Sequence, residues 1–124
     1  MARKLAISIV ILAAAGAVVF WFLTIPQTVP ASALGAHTPN LVNGRTMFFA
    51  GGCAACHATP NQDDRTQLGG RLSLPSPFGT FYVPNISSDA KDGIGGWSEA
   101  QFVTAMLKGT SPNGMHYYPA FPYT

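Results

Sequence analysis

The chain has 124 residues, of which 48% are hydrophobic and 10% charged, with a formal net charge of +2 and two cysteines. That is enough for one small domain, and it excludes a basic stripe for nucleic acid, an acidic interaction tail and a multi-disulfide scaffold. The averages conceal a division, because hydrophobic residues crowd into the leading segment and Arg3 and Lys4 carry the whole net charge, leaving a formally neutral remainder.

Residues 5–25 contain no charged side chain, and as a helix they would be long enough to cross roughly 30 Å of hydrocarbon. Arg3 and Lys4 precede this run. By the positive-inside rule they hold the N-terminus in the cytoplasm, which puts everything after Pro26 outside, and Phe20, Trp21 and Phe22 suit the outer interface. A cleaved signal peptide is the competing reading, since Ala31-Ser32-Ala33 has the small-x-small form. Against it, the apolar run exceeds the roughly 7–15 residues of a signal h-region, and the cleavage-like site falls well past its end. Both readings place the remainder on the periplasmic side of a cytoplasmic membrane. Residues 26–39 include Pro26, Pro30 and Pro39 and no Asp, Glu, Lys or Arg, a composition expected of a tether.

Residues 40–50 predict a short helix with Leu41, Met47, Phe48 and Phe49 on its apolar side and Gly44 sharing a face with Phe48. Gly51-Gly52 breaks it and leads into Cys53-Ala54-Ala55-Cys56-His57. C-x-x-C-H is the c-type haem attachment signature. Two thiols three residues apart on one helical turn can each add to a haem vinyl group, and the next imidazole then reaches the iron as the proximal axial ligand. Cys53 and Cys56 are therefore the expected covalent haem anchors and His57 the expected iron ligand. A thioredoxin-like thiol pair would require an alternation of strands and helices that is missing around the motif. A zinc site would require four ligands, whereas His37 and His116 lie far from the motif in no paired spacing. A plain disulfide within the motif would be strained and of the catalytic rather than the structural type.

From residue 59 to residue 98 there is little periodicity and much Gly, Pro, Asn and Asp, the composition of loops wrapped around something. A structureless stretch of that length is unusual in a compact domain, but a porphyrin would supply the core, with Leu68, Leu72, Leu74, Phe78, Phe81, Tyr82 and Ile86 packing on it. Arg71 is either a haem propionate partner or a solvated cation. Ser98-Glu99-Ala100-Gln101 is a capping box, with Trp97 and Phe102 at hydrophobic-staple spacing. Phe102, Val103, Met106 and Leu107 then follow at one-face spacing, and Lys108-Gly109 closes the helix. Met106 reads as core packing rather than an iron ligand.

The segments Gly79-Thr80-Phe81-Tyr82-Val83-Pro84-Asn85-Ile86-Ser87, Gly93-Ile94-Gly95-Gly96-Trp97-Ser98, Ser111-Pro112-Asn113-Gly114 and His116-Tyr117-Tyr118-Pro119-Ala120-Phe121-Pro122-Tyr123 follow the haem motif in order. Together with it they resemble, over residues 37–124, the multihaem cytochrome c subunits of membrane-bound periplasmic alcohol, gluconate and related aldehyde or sugar dehydrogenases. The resemblance implies an all-α, class I cytochrome c-like domain around one covalent haem c in this chain, preceded by a single transmembrane helix. It also implies passage of single electrons from a separate dehydrogenase catalytic subunit towards quinone or a terminal oxidase, with no catalysis by this domain itself.

The expected division is an anchor or signal peptide at 1–25, a tether at 26–39 and a cytochrome domain at 40–124. That domain is expected to lack the terminal helix that would cross the Gly44/Phe48 face, as a piece of a longer protein would. The sixth iron ligand stays open. Relatives often carry Met where Phe121 stands, and the candidates are Met115, His116, a Met beyond Thr124, or an open position of the kind a haem sensor has. The formally neutral domain favours docking through an apolar interface over electrostatic steering. A periplasmic thiol-disulfide oxidoreductase using Cys53 and Cys56 is the alternative function.

Overall fold

A computed structural model describes residues 1–119. The Phe121 position, and any helix beyond it, lie outside the described residues. In chain order the elements are helix α1 (Ala2–Leu23), a 3-10 turn (Ala31–Ala33), helix α2 (Leu41–Ala50), helix α3 (Cys53–His57), strands β1 (Ser73–Ser76) and β2 (Gly79–Tyr82), and helix α4 (Glu99–Lys108). Most of the regular structure is thus helical. It falls into two compact units, one made of residues 1–30 with the described part of 100–124, the other of residues 31–99.

In the first unit α1 has 22 residues and a mean hydropathy of 2.6, with none of its apolar window buried. It is long and apolar enough to cross a membrane, a property that signal sequences share. Its last carbonyls would be orphaned without a cap. The Thr24 hydroxyl donates to the Phe20 carbonyl at 2.8 Å, and the Thr24 amide donates to the carbonyls of Phe20 and Trp21. The chain that follows does not run free. Val29 N–H donates to the Thr104 hydroxyl at 2.9 Å, which fixes the start of the expected tether to α4.

Helix α4 ends as expected, with Gly109 at φ +61° and its amide donating to Ala105 O, the left-handed cap that glycine allows. The expected apolar stripe is not its buried face. Thr104 and Ala105 are buried, whereas Phe102, Met106 and Leu107 are exposed. The reading of Met106 as a packed core residue is therefore corrected, because the buried side of α4 is the one that receives Val29.

In the second unit Asn40 caps α2, its side chain accepting from Asn43 N–H at 2.9 Å, so the helix begins where Asn can satisfy an otherwise orphaned donor. Residues 59–98 are not all loop. Strands β1 and β2 form an antiparallel hairpin with Leu74 opposite Phe81 and Pro75 opposite Thr80, which corrects the all-α expectation. Thr80, Phe81 and Tyr82 favour a strand, and a two-stranded ribbon is all edge, so Pro75 costs it no central ladder bond. Gly79 at φ +126° closes the turn.

The pairing continues past the strands. Arg71 N donates to Val83 O and Val83 N to Leu72 O, and further along Ile86 N donates to Leu68 O. This extension brings residues 83–86 back towards the motif helix. The unit has almost no side-chain core of its own. Its buried hydrophobic residues are Ala54 and Ala58, and none of the seven apolar loop residues from Leu68 to Ile86 named above is buried.

Candidate functional site

The site is built around α3, a five-residue helix entered through Gly52 at φ +68°. The glycine is needed because a side chain at that angle is strained. Cys53 and Cys56 lie three residues apart on this single turn, hence on one face. Both are free thiols, Cys53 half-buried and Cys56 exposed.

His57 ends the helix, and its ring is held from a distant part of the chain. Nδ1 lies 3.0 Å from the backbone carbonyl of Pro84. A carbonyl can only accept, so Nδ1 carries the proton, and the neutral ring presents the lone pair of Nε2. Among the described residues Nε2 has no hydrogen-bond partner. The backbone is fixed at the same place, since Gly70 N–H donates to His57 O at 2.9 Å and Thr59 N–H to Gln67 O at 2.9 Å. Gly70 stands at φ +68°, and a Cβ there would lie 2.5 Å from the carbonyl oxygens of Val83 and Pro84. Only glycine lets these two backbones approach closely enough for Pro84 to reach His57.

Arg65 makes the other clamp. Its guanidinium donates to the Ala54 carbonyl at 2.8 Å, and Ala58 N–H donates to the same oxygen at 3.3 Å. A cation at this end of a one-turn helix also complements its dipole. Next to it, the hydroxyl and amide of Thr66 hold the Asp64 carboxyl below its ordinary pKa of 3.8, which keeps the loop carrying Arg65 in shape at neutral pH. Arg65 and Pro84 were not identified as functional from the sequence. Arg71, which was, has its backbone at φ +73° and paired to Val83, while its guanidinium makes no hydrogen bond or ion pair among the described residues.

The structure therefore brings Cys53, Cys56 and His57 together on one turn and adds Pro84 and Arg65 to them. Met115 and His116 belong to the first unit, where Met115 is 63% exposed. Among the described residues no three His, Cys, Asp or Glu side chains gather as metal ligands, so the zinc reading finds no ligand set there. The motif is not flanked by a βαβ unit either. An open cleft of about 190 Å³ runs along Thr28, Thr104 and Ser111 in the first unit, and another of about 600 Å³ runs along Thr59, Leu68 and Ile86 in the second. The motif residues line neither. Leu74, Phe81 and Tyr82, on the loop whose base supplies the Pro84 acceptor, are exposed. This donor set and these uncovered apolar side chains fit a flat apolar macrocycle with a metal that accepts one imidazole.

No protein-family profile matches the chain. Across its whole length it is 44% identical to a diheme c-type cytochrome of Cereibacter sphaeroides, covering 42% of that protein. Over 78% of its length it is 37% identical to the fructose dehydrogenase cytochrome subunit of Gluconobacter japonicus, covering 19% of it. Over 64% of its length it is 38% identical to the gluconate 2-dehydrogenase cytochrome c subunit of Pantoea cypripedii, covering 18% of it. The chain thus spans less than half the length of each of these relatives.

Proposed function

Because the chain is homologous to c-type cytochromes, including cytochrome subunits of dehydrogenases, we propose that it is a membrane-tethered periplasmic electron carrier bearing one covalent haem c. The observation that carries this reading is the His57 ring, locked by Pro84 O in the tautomer that offers Nε2 to a metal. Cys53 and Cys56 would hold the macrocycle through thioethers, and His57 would be the proximal ligand. When bound, the haem supplies a one-electron iron couple.

The rest is the work of the chain. The Nδ1–H···O bond fixes the plane and tautomer of the imidazole, as partners of ligating histidines do. Arg65 and the Gly70–His57 bond hold the backbone carrying all three residues. The exposed apolar side chains of the hairpin would exclude water from one face of the macrocycle, and such burial is one determinant of potential. Helix α1, oriented by Arg3 and Lys4, would hold the domain at the outer surface of the cytoplasmic membrane. There it would receive electrons from a dehydrogenase subunit and pass them to quinone or a terminal oxidase.

The test is expression of the full chain with the c-type maturation machinery. The expected result is a gain in intact mass of one haem that resists acid-acetone extraction, with two thioethers in the wild type and one in Cys56→Ser. A chain with no covalent haem and two titratable thiols would overturn the reading.

A further inference from the structure

The carbonyl that holds His57 belongs to the peptide plane between Pro84 and Asn85, so its direction follows from the backbone angles of those two residues. Upstream, the ring of Pro84 locks its own φ, and Val83 is tied by backbone bonds to Arg71 and Leu72. Downstream, the Ile86 N–H donates to Leu68 O at 2.9 Å. Asn85 lies between these holds and supplies a further restraint itself. Its side-chain oxygen accepts the Ser87 N–H at 2.8 Å in a part-buried setting, the turn in which an Asn side chain stands in for backbone.

A bond to Ser87 restrains Asn85 only if Ser87 is itself fixed, and it is. Its carbonyl accepts the Ile94 N–H at 2.9 Å, and its hydroxyl accepts the Asp89 N–H at 3.4 Å. Ile94 is brought back to it by a knot tied on Asp89. One carboxylate oxygen of Asp89 accepts the N–H groups of Lys91 at 2.8 Å and Asp92 at 2.7 Å, and its carbonyl accepts those of Gly93 and Gly95 at 3.1 Å each. The bonds from Asp92 and Lys91 hold the Asp89 carboxyl below its ordinary pKa of 3.8, so the knot is ionised at neutral pH. The return is tightest at Gly93, where a Cβ would collide with the Ser87 carbonyl oxygen. The segments Pro84-Asn85-Ile86-Ser87 and Gly93-Ile94-Gly95, separate motifs in the sequence, therefore form one hydrogen-bonded structure. It runs from Asp89 through Ser87 and Asn85 to the acceptor of His57.

We propose that Asn85 is a positioning residue for the iron ligand: through its bond to Ser87 it aims the Pro84 carbonyl at His57 Nδ1, and so sets the plane in which Nε2 is offered to the metal. This rests on reading His57 as the haem ligand. Partners of ligating histidines orient the ring, and hydrogen bonding around a haem is one of the protein's controls on potential. Asn85 acts one step further out, on the direction of the acceptor.

The test compares the wild type with Asn85→Ala, Asn85→Ser and Asn40→Ala, each as the full chain loaded with haem by the c-type maturation machinery and held in detergent micelles. Asn40 is the matched control, since its side-chain oxygen also accepts a backbone N–H, that of Asn43 at 2.9 Å, in the same unit at the start of α2. Cyanide is added to fill the sixth position, and proton NMR of the oxidised protein follows exchange of the His57 Nδ1–H in heavy water. Asn85→Ala should exchange about fivefold faster than the wild type, the factor for one ordinary hydrogen bond. Asn85→Ser, whose hydroxyl makes the same turn more weakly, should fall between the two, and Asn40→Ala should match the wild type. Reduction potentials measured without cyanide should divide in the same way, moved in Asn85→Ala and unmoved in Asn40→Ala.

Equal exchange in the wild type and both Asn85 variants would overturn the proposal. So would an Asn40→Ala protein that moves as far as Asn85→Ala, because overall stability alone would then account for the effect. Should Asn85→Ala take up no haem, Asn85→Ser decides alone, and exchange at the wild-type rate overturns the assignment. A wild-type chain without covalent haem, or with iron bound to an imidazole other than His57, would overturn the reading of the site itself, and the role of Asn85 would fall with it.

Discussion

Arg65 is the side chain whose removal most directly separates the shape of the motif from its chemistry. It touches neither sulfur nor imidazole, yet its 2.8 Å bond to Ala54 O closes the turn that spaces them. Arg65→Ala should cost about 1–2 kcal/mol, the range for a charge-assisted bond discounted for partial exposure, measured by guanidinium chloride unfolding. It should also accelerate amide exchange at Ala58, and Arg65→Lys should recover part of both. Cys53, Cys56 and His57 could be identified from sequence because their chemistry is packed into five consecutive letters. Arg65 could not, because its acceptor is a backbone oxygen eleven residues away. Pro84 was hidden for the same reason, since any residue has a carbonyl and only the fold shows that this one faces His57.

At the level of elements, the hairpin and its extension are what deliver Pro84 to His57, and Gly70 is where that delivery is most constrained. Gly70→Ala should destabilise the second unit by at least about 2 kcal/mol, combining a left-handed angle with a clash against two carbonyls. Circular dichroism melts would read the loss. A shifted His57 ring resonance in NMR spectra would show that the Nδ1 bond loosens with it. The three longer helices were legible because each has a strong signal: an uninterrupted apolar run, an apolar side broken off by Gly51-Gly52, and a capping box with a terminal glycine. The hairpin was not, because its strands are four residues long and Pro75 and Pro77 argue against a sheet unless both strands are edges. The buried face of α4 was also hidden, because the apolar stripe predicts burial but cannot show that Val29 occupies the opposite side.

For the whole molecule, the division between a greasy leader and a neutral remainder was legible from composition, with the net charge confined to Arg3 and Lys4. Replacing both by Glu should reduce the outside-facing population, read as a fall in the activity of a C-terminal alkaline phosphatase fusion, which is active only outside the cytoplasm. What composition could not show is that the first unit draws on both ends of the described chain while the second is one continuous stretch. That arrangement sets a clock. When the chain is threaded outward from its N-terminus, α3 emerges well before Thr104, the residue that receives Val29. At about 5–20 residues per second the interval is roughly 2–10 s. The second unit ends at residue 99 and is therefore complete only for about the last five residues of that interval, so Cys53 and Cys56 emerge while the hairpin that brings Pro84 to His57 is still to follow.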